Sequence, residues 1–157
     1  MLYRGYFTAE GLLTEVGALF PCVVRPPDAL LTQRGDEDCC CRYLREAMQK
    51  YVRPALPLDG VRYLSGELAE LSEPGMRWLL PSLLRVLLVH ENIANDISLR
   101  LIWDLSQPDE NLALLRLRYG WLSACQTACL QSVLEYCAER YGHEVARAQS
   151  ALVMLHD

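Results

Sequence analysis

The segment "SEPGMRWLLPSLLRVLLV", residues 72–89, constrains the fold more than any other part of the chain. Serine at a cap position, Glu73 in the first turn and Pro74 close behind mark a helix start. From Leu79 to Val89 nearly every residue is apolar, and a helix that is apolar all round is buried all round. It needs helical neighbours on every side. Pro81 lies inside it, where a proline removes a backbone donor and crowds the preceding turn, so a kink or a split into two helices is expected.

The flanking sequence supplies such neighbours. Thr8 stands before "AEGLLTEVGALF", where Leu12, Leu13, Val16, Leu19 and Phe20 recur at helical spacing, with Pro21 as the stop. "PCVVRPPDALLTQRG", residues 21–35, reads as an irregular connection because of its prolines and glycine. The acidic run Asp36 to Asp38 opens a helix reaching about Tyr51, since carboxylates favour a helix N-terminus. Pro54 and Pro57 break it, and Asp59-Gly60 reads as a turn before a short helix from Ser65 onward. Further helices are expected at 94–105, from Asp109 through "ENLALLRLRYGWL", from Ser123 to Tyr141 with Gly142 as the stop, and in "HEVARAQSALVMLH". No run alternates cleanly enough for a strand. The expected fold is all-α: a single compact domain over residues 1–157, with about six or seven helices around a kinked, buried central helix.

Length and charge bound the function. A chain of 157 residues is long enough for one sizeable core. The apolar stretch around the central helix is interrupted by Pro81, Ser82 and Arg85, short of the roughly 18 apolar residues of a membrane span. The opening "MLYRGYFTAEGLL" lacks the basic and apolar regions of a secretory signal, so a cytoplasmic location is expected. A formal net charge of -5 argues against nucleic-acid binding, which needs a basic face. It suits a basic protein partner.

"DEDCCC", residues 36–41, looks most like chemistry. Adjacent helical residues point about 100° apart, so Cys39, Cys40 and Cys41 cannot all face one metal ion. Cys125 and Cys129 stand four apart, yet no C-x2-C or H-x3-H pair accompanies them. The neighbouring Asp36, Glu37 and Asp38 oppose a reactive thiolate. Seven cysteines cannot all pair within one chain. The plainer reading makes them small core hydrophobes, with Cys125, Cys129 and Cys137 on one stripe and Cys40 or Cys41 beside Leu44 and Met48.

His90 ends the central helix, where a cation suits the dipole, and His143 and His156 show no sequence link to a nucleophile. The chain holds no P-loop, dinucleotide, G-x-S-x-G or H-E-x-x-H motif. Trp78, Trp103 and Trp121 fall one per helix, as expected of core corners. No catalytic, cofactor-binding or metal-ligating residue is assigned. The candidate partner-binding residues are Asp36, Glu37 and Asp38, and the ridge Glu67, Glu70 and Glu73 that recurs every three residues.

At "LSEPGMRWLLPSLLRVLL" and "LSACQTACLQSVLEYCAERYG" the chain resembles a small bacterial family of unknown function. Leu71, Ser72, Arg77, Leu80, Pro81 and Leu84 carry its first motif. Leu122, Ser123, Gln126, Val133, Leu134 and Tyr136 carry its second, and "DEDC" resembles its acidic cysteine stretch. The chain departs from the family at "GVRYLSGEL", where a tryptophan is expected. Such families are encoded beside polymorphic toxins. The resemblance therefore implies an immunity protein that binds and inhibits a cognate toxin, without catalytic residues or cofactor of its own. The alternatives are a small enzyme with a dispersed Cys/His/carboxylate site and a homo-oligomeric adaptor, with a homodimer as its simplest form.

Overall fold

A computed structural model of the chain describes residues 8–107 and 111–157. The described residues are all-α. They form α1 (Ala9–Leu19), α2 (Asp28–Leu31), α3 (Cys39–Met48), α4 (Leu58–Ser65), a 3-10 turn (Leu68–Glu70), α5 (Glu73–Val89), α6 (Glu91–Leu105), α7 (Leu112–Tyr119), α8 (Ala124–Tyr141) and α9 (Ala146–Met154). Their only β pairing is an isolated antiparallel bridge between Thr32 and Leu71.

Helix α5 occupies the centre, for the reason its composition gives. Trp78, Leu79, Leu80, Leu83 and Leu84 are wholly buried, and α1, α2, α4, α6 and α7 pack around the helix. Ser72 caps it, accepting a hydrogen bond from the Gly75 N–H at 3.2 Å. Its hydroxyl also donates to the Leu30 carbonyl, which ties the cap to α2. Gly75 has to be glycine here, because a Cβ would collide with the Leu31 carbonyl oxygen. Pro81 does not split the helix, which runs unbroken from Glu73 to Val89. Helices α8 and α9 complete the fold by packing on each other and on α6, with α8 also against α1.

Several ends fall where local chemistry puts them. Thr8 accepts from the Gly11 N–H at 3.0 Å, and Asp38 accepts from the Cys41 N–H at 3.1 Å. Ser123 and Gln126 form a reciprocal capping box on α8. Gly142 stops that helix at φ 74, a left-handed angle that glycine adopts without strain.

Three expectations are corrected. The connection at residues 21–35 contains the one-turn helix α2. Asp59-Gly60 is helical, and α4 ends at Ser65, where a helix was expected to begin. Pro57 supplies a preset φ of -69 at the N-cap of α4, Asp59 suits the first turn, and Gly60 packs against Leu56 and Tyr51. Helix α6 starts at Glu91 rather than near residue 94, because His90 ends α5 and begins α6 without an intervening loop. The expected helix start at Asp109 lies outside the described residues. Among the described residues, no helix is long and apolar enough to cross a membrane.

The cysteines divide differently from the sequence reading. Cys41, Cys129 and Cys137 are buried, whereas Cys22, Cys39, Cys40 and Cys125 are exposed, and all seven are free. Cys125 sits on the first turn of α8, one turn ahead of the packed stripe that begins at Cys129. Burial pushes the Cys137 thiol up to about 12. A thiol reagent on native protein is therefore expected to modify Cys22, Cys39, Cys40 and Cys125, and to reach the other three only after denaturant is added. Rapid native labelling of Cys137, read by peptide mass mapping, would contradict this packing.

Candidate partner-binding surface

The candidate carboxylates come from two segments far apart in sequence, and backbone hydrogen bonds join them. At the Thr32–Leu71 bridge, the Gln33 N–H donates to the Glu70 carbonyl at 2.9 Å and the Ser72 N–H donates to the Leu31 carbonyl at 3.2 Å. The Gln33 side-chain amide adds donations to the carbonyls of Ala69 at 2.8 Å and Leu71 at 3.1 Å. The acidic loop after Gln33 is thereby fixed beside the 3-10 turn.

Within that loop most carboxylates already have partners. Asp36 pairs with Arg45, whose guanidinium also donates to the Arg34 carbonyl at 3.1 Å. Glu37 turns back to accept from the Gly35 N–H at 3.0 Å, and backbone donors hold its carboxyl below the usual range. Asp38 caps α3 and pairs with Arg34 at 3.0 Å. The Cys41 N–H, and then Arg34, hold the Asp38 carboxyl low.

The ridge Glu67, Glu70 and Glu73 does not form as one face. An extended residue, Leu71, separates the 3-10 turn from α5 and sends the three side chains to different neighbours. Glu67 faces Tyr63, Glu70 accepts from the Cys41 thiol at 3.3 Å, and Glu73 pairs with Arg77 at 2.9 Å. Only Glu70 joins the Asp36–Asp38 group.

Asp38, Cys41 and Glu70 offer ligand atoms within 4.8 Å of one another, a possible cation seat. The surrounding chemistry opposes it. Arg34 already neutralises Asp38, and burial raises the Cys41 thiol above its ordinary value, with the Glu70 carboxylate acting in the same direction. Asp38 accepts from the Cys41 N–H and Glu70 from the Cys41 thiol, so the trio forms a hydrogen-bonded cap on α3.

Beyond Glu70 lies a hollow of about 410 Å³ whose wall includes Gln33, Arg34, Glu70, Trp103, Asp104 and Arg118. At its floor is a buried ion pair, with the Arg118 Nη1 donating to Asp104 Oδ2 at 2.6 Å and to the Leu68 carbonyl at 3.2 Å. The Tyr119 hydroxyl donates to the same Asp104 oxygen at 2.7 Å. Burial opposes the Arg118 charge, but the Asp104 carboxylate outweighs it and holds the guanidinium above its usual range. Burial, and then the Asp104 charge, push the Tyr119 phenol well up, so it remains a donor.

Trp103, expected in a core corner, stands on the rim 74% exposed. The phase of α6 explains it. Ile97, Leu101 and Leu105 are buried at intervals of four, while Leu99 and Trp103 lie two positions off that stripe and face outward. That displacement was readable in "ISLRLIWDL". The Asp104–Arg118 pairing was not, because its members lie on different helices.

The histidines meet hydroxyls and carbonyls. His143 Nε2 lies 3.0 Å from Ser98 Oγ, but Ser98 is wholly buried and its hydrogen goes to the Asn95 carbonyl at 3.0 Å. No substrate reaches that oxygen. His156 Nε2 lies 2.8 Å from the Thr127 hydroxyl, and His90 is the junction of α5 and α6. The Cys41–Glu70 thiol–carboxylate contact is buried on its sulfur side and biased toward the neutral thiol. No protein-family model matches the chain, and neither does any curated protein or solved structure.

Proposed function

We propose that this protein is a binding module: an immunity protein that blocks a cognate bacterial toxin by direct contact in the cytoplasm. The observation that carries the reading is the acidic loop, whose carboxylates are held in place by the Thr32–Leu71 bridge, Arg34 and Arg45 before any partner arrives. Pre-ordered charge lowers the ordering cost of association, and a negative surface steers encounter with a basic protein. Glu37 and Glu70 matter most, since neither lies within ion-pair distance of a described arginine or lysine, whereas Asp36 and Asp38 do. The central helix is also proposed to bend at Pro81, where the proline removes a backbone donor and crowds the preceding turn. No catalytic step is assigned to the protein.

The test is co-expression with the toxin that this reading expects to be encoded beside it. Glu37→Lys combined with Glu70→Lys is expected to abolish protection while circular dichroism and melting temperature stay close to those of the parent. Truncating one member of a desolvated charge pair costs about 2 to 5 kcal/mol of affinity, whereas a rim charge mainly slows association. Full protection by the double variant would reject the acidic loop as the contact. Failure of the unaltered protein to bind the toxin would reject the immunity reading itself.

A further inference from the structure

The hollow of about 410 Å³ joins the acidic loop to the outward side of α6, since Gln33 and Glu70 line part of it and Trp103 and Leu114 another part. Its charges do not cancel. Arg118 is paired with Asp104, and Arg34 with Asp38. Glu70 acts on Arg34 only through space, outside ion-pair distance, and has no described cationic partner. The hollow is left with one uncompensated negative charge. An anion entering it would meet Glu70 and Asp104 with both arginines already engaged.

The hydrogen-bonding groups favour the same kind of occupant. Gln33 uses its side-chain amide nitrogen on the Ala69 and Leu71 carbonyls, so its oxygen is left to accept. Both described bonds to the Asp104 carboxylate fall on Oδ2, which leaves Oδ1 without a described donor. A guanidinium or ammonium group brings donors and positive charge together. Trp103 and Leu114 are both exposed and offer apolar surface to the methylene stem of such a side chain. An indole also attracts a cation to its face.

What lies across Trp103 selects a polypeptide over a free small cation. A second recess, of about 690 Å³ and lined by Leu68, Ala69 and Leu99, shares that indole with the first. A small ion seated beside Glu70 leaves the second recess and the exposed Leu99 in water. A chain segment covers both, with a basic side chain against Glu70 and an apolar neighbour on Leu99. Arg100 lines the second recess and has no described carboxylate partner, so a second cation is turned away there.

Resting on the immunity reading, we infer that the hollow is the socket for a single arginine or lysine side chain of the toxin, held between Glu70 and Trp103. The socket is tested first without the toxin, by heteronuclear NMR of the isotope-labelled protein. The probe is N-acetyl-arginine amide, with the uncharged N-acetyl-citrulline amide as control. At millimolar concentration the arginine compound is expected to shift the Trp103 indole and Glu70 amide resonances saturably, while the buried Trp78 indole stays in place. The citrulline compound should leave all of them unmoved, and Glu70→Gln should remove the response. No shift at Trp103, an equal response to the citrulline compound, or an unchanged response in Glu70→Gln overturns the inference whatever the toxin does.

With the toxin, Trp103→Ala and Glu70→Gln are each expected to weaken binding about thirtyfold or more, the effect of losing a decisive interface residue. Both variants should keep the melting temperature of the parent. Toxin binding that survives both changes overturns the socket and leaves the immunity reading standing. A response to the arginine probe without any binding of the toxin by the unaltered protein rejects the immunity reading, and the toxin as occupant with it.

Discussion

Asp104→Ala is expected to lower the unfolding free energy by about 3 to 5 kcal/mol, the cost of removing one member of a buried ion pair. Asp104 and Arg118 expose only 8% and 6% of their side chains, so removing the carboxylate leaves a largely desolvated guanidinium without its counter-charge. Arg118 keeps the Leu68 carbonyl as an acceptor but loses its counter-charge, and the Tyr119 hydroxyl loses the Asp104 oxygen. Urea unfolding followed by circular dichroism reads the loss as a fall in midpoint at constant slope. A cost below about 1 kcal/mol, the scale of surface changes, would mean that the pair is hydrated or absent. Asp104→Leu combined with Arg118→Met should recover most of the loss, because an apolar replacement of both partners leaves no buried charge. The recovery is favoured further because the buried Arg118 Nε has no acceptor among the described residues.

Leu84→Ala is expected to cost about 2 to 5 kcal/mol, the range for a buried leucine whose cavity collapses only partly. Leu84 is wholly buried on a helix enclosed by five others, and few of those neighbours can move inward without losing their own packing. Val153→Ala is the matched control. Val153 lies 52% exposed on α9 and should change stability by less than about 0.5 kcal/mol. Similar losses at both positions would place the core elsewhere.

The two positions also show how far the sequence could be read. Leu84 sits in a run apolar on all sides, and burial follows from that pattern without knowledge of any neighbour. The caps Thr8, Asp38, Ser72 and Ser123 were legible for the same reason, since each serves its own helix within three residues. Short helices were harder. Helix α2 and helix α4 follow prolines, and proline marks a first helical turn as readily as it marks a break. Glu67, Glu70 and Glu73 read as one ridge only if one helix continues through Leu71, and an extended residue there sends them apart. Tertiary pairing was the least legible. Nothing in the local spacing of Asp104 announces Arg118, and nothing in Gln33 announces Glu70. Trp103 was within reach, since the phase of its own helix already places it outside the buried stripe.

The Thr32–Leu71 bridge has a topological consequence. The chain leaves the body of the protein at residue 33 and returns at residue 70, closing a detour that contains α3 and α4. Both arms of the detour are anchored in the core, one by Leu44 and Met48 and the other by Leu56, Val61 and Leu64. Between them Pro54 and Ala55 lie exposed at its tip, just beyond the Arg53 carbonyl that accepts from the Trp78 indole at 3.1 Å. A protease cut between Pro54 and Ala55 is expected to leave the two fragments associated, which gel filtration of the nicked protein would show. The same bond is where the protein could be made as two separately expressed halves that reassemble on mixing.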